Sequence, residues 1–428
     1  MVIAISCIAF GKIIHYASNI YLVDRWFYAR PEITESPMQK TCSILLLIPV
    51  IREQKVILQT IQHFFSMNTS GIRLYIAIAG TTREKETDDC RTTGSIVKEW
   101  LQSHSLKNSG IYAAFYCEKT EETGDRATQL NYAVEYFKKK YPNENLDYIG
   151  VYDADSLPSL RTLQEVRAVF EQHPDVMACQ QPVHFIKAAN RMADAGENPL
   201  LVANALYQTT WTVIRELPSW IQYAKTPENH MFHKNVYLIG HGEFLRYECY
   251  KKFEFPEFEV TDGIQLGYRM GMSNQKIAPL SEFCDDDVPQ SITSLINQHK
   301  RWFGGCMNLF SAYRWSQKYF RSKAIFQLID GYWSQVCWAW ASLFMIIALI
   351  VSLYLHDIYL LTAVLFAVFL YSYFLPYLAH HILPVKVNVR ICDWLVLPLA
   401  IALKGIGPNW FLLEKIFRKK VRFKKVER

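Results

Sequence analysis

Residues 146–156 read Leu-Asp-Tyr-Ile-Gly-Val-Tyr-Asp-Ala-Asp-Ser, and the rest of the chain is best interpreted outward from this stretch. Its apolar run from Tyr148 to Tyr152 has the length and β-rich composition of a buried strand. The run ends in Asp153 and Asp155, at the end of a strand where ligands bind in open α/β sheets. Two such carboxylates suit a hard divalent cation, which in turn binds a diphosphate. The alternative is a solvated turn, in which Asp155 or Ser156 helps to cap the next helix.

The composition limits the classes of protein to which the chain can belong. It has 428 residues, 50% hydrophobic and 14% aromatic, which is enough for a large domain together with membrane segments. The formal net charge is only +6, so no nucleic acid is expected as a partner. The ten cysteines form no Cys-x-x-Cys pair and no Cys/His cluster. This argues against structural zinc or a disulfide framework and favours a reducing compartment.

Two long stretches near the C-terminus indicate a transmembrane hairpin. Residues 331–355 and 358–380 contain no Asp, Glu, Lys or Arg. Each is long enough to cross a bilayer, which takes about 20 apolar residues. Tyrosine and tryptophan residues near their ends suit the membrane interface. A buried pair of helices in a soluble protein is the alternative interpretation.

Four further segments are expected at or near the membrane. Residues 1–23 are interpreted as a membrane helix that carries Lys12 on one face, with an interfacial helix as the alternative. Residues 306–323 mix aromatic and basic residues and predict an interfacial helix. Residues 391–413 are expected to be re-entrant or interfacial, because basic residues lie on both sides of them, including the basic tail 414–428. The positive-inside rule puts these basic residues, and with them the catalytic domain, on the cytoplasmic side.

Between residues 40 and 305, apolar runs of strand length alternate with helical patterns. Such alternation predicts an α/β fold with a doubly wound, mostly parallel sheet. A further strand is expected from Tyr237 to Gly242, entering a tight turn. The predicted strands before it are Ile44–Ile48, Leu74–Ala79, Ile111–Tyr116, Tyr148–Tyr152 and Val176–Gln180.

The strongest functional motif is Gln298-His299-Lys300-Arg301-Trp302. On a helix, Gln298, Arg301 and Trp302 share one face. An arginine there can neutralise a departing diphosphate, and a tryptophan can stack on a sugar ring. With this Q-x-x-R-W motif, a strand-borne D-x-D and a membrane hairpin, the chain resembles the membrane-integrated family 2 glycosyltransferases, which include cellulose, hyaluronan and chitin synthases. The resemblance covers about residues 42–310 and implies a GT-A-like fold.

The resemblance also implies a nucleotide-sugar site and its metal. Pro49 and Glu53 lie in a motif that resembles the family's first strand and its nucleotide loop, although an ordinary strand-to-helix turn would look the same. Arg126 precedes a Leu-Asn-x-Ala pattern and would reach the nucleotide phosphates, whereas the alternative is a surface arginine. Asp155 would be the more direct ligand of Mg²⁺ or Mn²⁺, and Asp153 would face the ribose or the metal.

Two further motifs concern the acceptor sugar. Gly240-His241-Gly242 resembles a loop beside the acceptor, where Trp302 would also lie; a plain turn is the alternative. The second motif departs from the family. When Ile264 to Arg269 are aligned with the family's motif, Gly263 occupies the position of the general base. Asp262 then corresponds to the acidic residue that precedes the base in the family. Asp262 is the predicted base. Other acids, such as Glu257, Glu259 or Asp285 to Asp287, or an altered transfer, are the alternatives.

The resemblance implies inverting transfer of a sugar from a nucleotide donor, expected to carry uridine diphosphate, to a growing polysaccharide. Asp262, Arg301, Trp302 and Gln298 would form the catalytic group. The membrane part is small for a polymer channel, so a second copy or a partner protein would complete it. There are two alternative functions. One is a single addition to a lipid-linked acceptor, and the other is a non-catalytic membrane regulator that binds sugar nucleotide or polysaccharide.

Overall fold

A computed structural model of the chain describes residues 2–29, 41–67, 69, 71–85, 91–104, 110–120, 124–227, 233–320 and 324–417. Most of the predicted basic tail, from residue 418 onward, lies outside the described residues.

A seven-stranded sheet forms the centre of the fold. Its strands are β1 (Cys42–Pro49), β2 (Ile72–Thr81), β3 (Ile111–Lys119), β4 (Tyr148–Val151), β5 (Val176–Gln180), β7 (Glu243–Arg246) and β8 (Lys276–Pro279). They lie in the order β3-β2-β1-β4-β7-β5-β8. All neighbouring pairs are parallel except those that β7 forms with β4 and β5. A separate parallel pair consists of β6 (Val183–His184) and β9 (Cys284–Asp285).

Helices cover both faces of this sheet and continue into the C-terminal region. The helices up to the last strand are α1 (Val2–Ala29), α2 (Ile57–Phe65), α3 (Thr93–Ser103), α4 (Arg126–Lys140), α5 (Leu160–Gln172), α6 (Ile186–Asp194), α7 (Pro199–Trp211), α8 (Leu217–Lys225), α9 (Tyr247–Phe253) and α10 (Asp262–Met272). The later helices are α11 (Ile292–Cys306), α12 (Leu309–Phe320), α13 (Ile325–Tyr354), α14 (Ile358–Phe369), α15 (Leu375–His381), α16 (Ile391–Leu395), α17 (Leu397–Leu403) and α18 (Ile406–Ile416). Single π turns join α7 to α8 and α14 to α15.

The core of the sheet follows from its apolar strands. Every residue from Cys42 to Ile48 is buried, as expected for a central strand covered on both faces. Two large hydrophobic clusters lie on opposite sides of β1, one containing Leu45 and Leu47 and the other Ile44 and Leu46. The predicted α/β class, with a doubly wound and mostly parallel sheet, is confirmed.

The strand predicted at Tyr237–Gly242 is wrong in position. These residues form an extended segment and a turn, and the strand β7 begins only at Glu243. The apolar residues Val236 and Leu238 are buried without joining the sheet, so hydropathy marked the segment next to the strand rather than the strand itself.

Two helical segments among the described residues are long and apolar enough to cross a membrane, Ile325–Tyr354 and Ile358–His381. They pack against each other, and α1 packs along α14 and α8. Residues 391–413, predicted to be re-entrant or interfacial, form the short helices α16 and α17 and most of α18. The α17 and α18 helices pack back on α7 and α11.

Candidate active site

The candidate site lies at the carboxyl ends of β1 and β4, where four chain segments meet. Asp153 lies two residues after the end of β4, and the antiparallel pairing of Val151 with Glu243 brings the turn before β7 beside it. The N-terminus of α4 is fixed by a capping box, in which the Asp125 side chain accepts from the Thr128 backbone N–H. This cap starts α4 at Arg126 and directs its side chain into the site.

Arg126, on α4, contacts each of the other three segments. Its Nη1 lies 2.6 Å from Asp262 Oδ2, and its Nη2 lies 3.1 Å from Asp153 Oδ1. The same Nη2 donates a hydrogen bond to the carbonyl of Gly240. Burial by itself would lower the pKa of Arg126, but Asp262 and Asp153 outweigh it and raise that pKa. The predicted nucleotide-binding arginine and the predicted base therefore form an ion pair in this structure.

The predicted acceptor loop faces the D-x-D residues. His241 Nδ1 lies 4.0 Å from Asp153 Oδ2, and His241 Nε2 lies 3.6 Å from Asp286 Oδ2. Burial raises the pKa of the nearby Cys284 thiol, and Asp286, Asp285, Asp155 and Asp153 raise it further, so the thiol feels the negative charge of all four carboxylates.

The described residues contain no group of three or more metal-ligating side chains at metal-site spacing. Asp153 and Asp155 are nevertheless oxygen donors of the kind that Mg²⁺ and Mn²⁺ prefer. Mg²⁺ is commonly held by one or two carboxylates, with the substrate phosphates and waters completing its coordination. The donor set therefore fits a cation that binds together with a diphosphate.

The predicted nucleotide loop after β1 is held by an acid from another segment. Pro49 pairs with Ala79 at the ends of β1 and β2, and the Glu53 backbone N–H donates to Thr93 Oγ1 at 2.9 Å. Glu84 accepts from the backbone N–H of Arg52 at 3.0 Å and from that of Thr93 at 2.8 Å. Arg52 has a φ of 57°, a strained value for a residue other than glycine, and the Glu84 bond helps to hold it there.

The Q-x-x-R-W residues lie on α11, behind the start of α10. Gln298 is buried and its Oε1 accepts from Gln208 at 3.4 Å, while Arg301 and Trp302 are half-buried. One turn later, the backbone of Gly305 lies against Thr261 so closely that no side chain would fit. The motif helix therefore contacts the residue that precedes Asp262.

Close packing explains the glycine at position 263. A Cβ added there would lie 2.4 Å from both Cα and N of Gly240, so no side chain fits unless the turn moves. Asp262 is buried next to it and is directed to Arg126.

Sequence reasoning missed Glu84 and Glu243, and it gave Asp286 only as one of several alternative bases. The glutamates lie outside the motifs used, and their positions depend on strand order. A charged residue at the start of a buried strand was the only available signal for Glu243.

A sequence profile of the family described as glycosyltransferase like family 2 matches residues 42–305. This range contains the whole central sheet and all of α11 except its last residue. A search of curated proteins finds no match.

Several solved structures share a broad likeness. A mannosyltransferase from Pyrobaculum calidifontis, in complex with GDP-Man and Mn2+, has 16% identity and a TM-score of 0.46, covering 86% of this chain and 96% of its own. The S. aureus TarS fragment 1–349 has 12% identity and a TM-score of 0.41, covering 90% and 94% respectively. The same fragment with UDP-GlcNAc has 11% identity and a TM-score of 0.35, covering 90% and 95%. Likeness at this level says nothing about the donor or acceptor of this chain.

Proposed function

The chain belongs to the family described as glycosyltransferase like family 2, and we propose that it transfers a hexose, with inversion, from a nucleotide-sugar donor to a growing polysaccharide at the cytoplasmic membrane face. The observation that carries this proposal is the single guanidinium of Arg126 between Asp153 and Asp262. This cation lies between the predicted donor side and the predicted acceptor side of the site. A donor diphosphate offers the same charge and bidentate geometry as the carboxylates that Arg126 now binds.

The donor would bind across the ends of β1 and β4. Pro49 and Glu53 would lie along the nucleotide, Asp153 would face the ribose or the metal, and Arg126 would contact the diphosphate. Asp155 and Asp153 would hold Mg²⁺ or Mn²⁺, which supplies positive charge to the diphosphate when bound. Uridine diphosphate is the nucleotide carrier that we expect.

The acceptor would approach from the Gly240–Gly242 turn and α11. Trp302 would stack on the acceptor sugar, and Arg301, on the helix that also bears Gln298, would stabilise charge on the leaving diphosphate. A carboxylate must take the proton of the attacking hydroxyl, and Asp262 is the residue that the sequence predicts for this role. Attack from the face opposite the leaving group inverts the anomeric centre.

The polymer acceptor and the membrane location belong to the same proposal. The segments Ile325–Tyr354 and Ile358–His381 would form the transmembrane hairpin, and lipids would contact their exposed faces. The basic residues Lys386, Arg390 and Lys415 would keep the catalytic domain on the cytoplasmic side. A second copy or a partner protein would complete a channel for the polymer.

One observation favours the lipid-linked alternative. An apolar groove of about 670 Å³ lies between α13 and α18, and Glu414 in its wall contacts Lys300 of the motif helix at 2.7 Å. An acyl or prenyl chain in this groove would bring its head group towards α11. The product would then carry a single added sugar.

The test uses membranes that contain the full chain, incubated with a panel of radiolabelled nucleotide sugars and Mg²⁺ or Mn²⁺. Transfer from one donor, lost in Asp155→Ala and retained in Asp175→Asn, would support the proposal. Asp175 is the control because it is a surface carboxylate paired with Lys276, away from the predicted site. Products that grow with time indicate a polymerase, and a product of one fixed size indicates single addition. Donor binding without any transfer, with several acceptors supplied, would instead support the silent regulator.

A further inference from the structure

Glu243 is a fully buried carboxylic acid at the centre of the site, and the predicted mechanism does not use it. It begins β7, where it pairs with Val151 on one side and with Gln180 on the other. Its relative exposure is 0%. Neither carboxyl oxygen makes a hydrogen bond of ordinary geometry to the described residues. The backbone N–H of Gly240 is the donor that most affects it.

A buried carboxyl group in this state is costly, because it has lost water without gaining a strong partner. Burial, and next the charge of Asp262, raise the pKa of Glu243 to about 8, and Arg126 only partly opposes them. The charged groups that face it are therefore Asp262 on α10, Arg126 on α4 and Asp153 after β4. Groups with this kind of perturbation concentrate in functional sites.

The packing around Gly263 places Glu243 next to the position where the resemblance predicts the general base. A Cβ added to Gly263 would lie 3.0 Å from Glu243 Oε2. The Glu243 carboxyl group therefore already occupies the region that the first atoms of a side chain at position 263 would enter. Asp262, the acid next to position 263 in the chain, binds the Arg126 guanidinium at 2.6 Å.

We propose that Glu243 supplies the carboxylate that the chain lacks at position 263 and is the general base of the transferase. The proposal rests on the proposed function and revises one residue of it, because Asp262 then serves to hold Arg126. In the transfer step, the acceptor O–H bond breaks and its proton goes to the Glu243 carboxylate. The acceptor oxygen bonds to the anomeric carbon, and the diphosphate leaves with the electron pair of the broken bond.

The proposal requires an acceptor to reach Glu243 past the Gly240–Gly242 turn, whose Gly240 backbone N–H lies beside the carboxyl group. Gly240 and Gly242 have φ values of 91° and 59°, a region that glycine adopts at little cost. The proposal requires an acceptor hydroxyl to take the place of the Gly240 N–H beside the carboxyl group. A general base works best when its pKa is near the operating pH, which the burial of Glu243 favours.

The experiment compares wild type, Glu243→Gln, Glu243→Asp and Asp262→Asn in the full chain in membranes. Transfer rate is measured at saturating donor, and donor affinity is measured separately by competition with the nucleotide diphosphate. Glu243→Gln should lower kcat by roughly 10²–10⁴-fold with little change in donor affinity, as expected for loss of a general base. Glu243→Asp should keep part of the activity, and Asp262→Asn should mainly weaken donor binding.

Each outcome decides a separate point. Glu243→Gln with a rate like that of wild type would overturn the role of Glu243, and so would an Asp262→Asn variant that binds donor normally but transfers nothing. Loss of activity together with a lower thermal midpoint in Glu243→Gln would also overturn it, because that pattern indicates a structural role. A wild type that transfers no sugar from any donor would defeat the proposed function itself.

Discussion

Replacing Glu243 with glutamine should stabilise the protein increasingly as the pH rises. The group has an ordinary pKa of 4.5 and a folded pKa of about 8, since burial disfavours the charged form. Between these values the folded chain holds a proton that the unfolded chain has released. The favourable contribution of Glu243 is therefore fully present below about pH 4.5 and is lost as the pH rises through about 8.

The size of the effect follows from the same shift. One pKa unit corresponds to about 1.4 kcal/mol, so the change from 4.5 to about 8 gives an upper bound of about 5 kcal/mol above pH 8. Because Glu243 is coupled to Asp262 and Arg126, a stabilisation of a few kcal/mol is the expected order of magnitude. Glutamine keeps the shape and cannot ionise, so it removes this pH-dependent loss.

The assay is the thermal midpoint of wild type and Glu243→Gln in detergent with EDTA, measured from pH 5 to pH 8.5. The difference between the two midpoints should be small at pH 5 and reach several degrees in favour of Glu243→Gln at the upper end. Glu99→Gln is the control, because the Glu99 side chain is 67% exposed and its loss should leave the midpoint nearly constant. Parallel curves for Glu243→Gln and wild type would refute the reasoning.

Three further substitutions test the packing and charge of the site. Gly263→Ala should lower the free energy of unfolding by about 1–3 kcal/mol, because its Cβ would lie 2.4 Å from the Gly240 backbone. Gly11→Ala is the control, since nothing lies within 4 Å of a Cβ at that position. Equal thermal midpoints for the two variants would contradict this prediction. Lys300→Met should cost about 1–3 kcal/mol, because it removes the ion-pair partner of Glu414, whose side chain is only 18% exposed. Adding Glu414→Leu should recover much of that loss, and a double variant no better than the single one would count against this reasoning. Arg126→Lys should raise the donor Kd roughly tenfold or more, measured by competition binding, since lysine lacks the bidentate fork; unchanged affinity would exclude Arg126 from the donor site.

The fold was predictable because its strands are apolar runs and its helices follow the helical period. The run Ile44–Ile48 became β1 with two more residues at its start and one at its end, and Val176–Gln180 became β5 with the predicted bounds. The exceptions in the central sheet are β7, which begins with the buried Glu243 and ends with Arg246, and β8, which begins with Lys276. Strands with charged residues at their ends carry little hydropathic signal, although the first three residues of β7 are buried between its two neighbours in the sheet.

The sequence yields the candidate site as a list of residues but not as a set of contacts. The motif residues Arg126, Asp153 and Asp262 lie in three distant parts of the chain, and only the order of the strands brings them together. The spacing of residues along the chain does not indicate which acidic side chain pairs with which basic side chain when they are so far apart in sequence. For the same reason, the support that Glu84 gives to the loop after β1 could not be inferred.

The C-terminal hydrophobic segment packs on α11, and α11 in turn packs on the candidate site. A glycine lies at each of these two contacts. A side chain at Gly407 on α18 would lie 2.6 Å from the backbone of α11, and Gly305 brings the other end of that helix against Thr261. The pair of Lys300 and Glu414 adds a largely buried charge contact between α11 and α18. At Gly407 no side chain separates the backbones of α11 and α18, so a displacement of α18 there would also displace α11. Because α11 also contacts Thr261, the residue before Asp262, we expect such a displacement to change the position of Asp262.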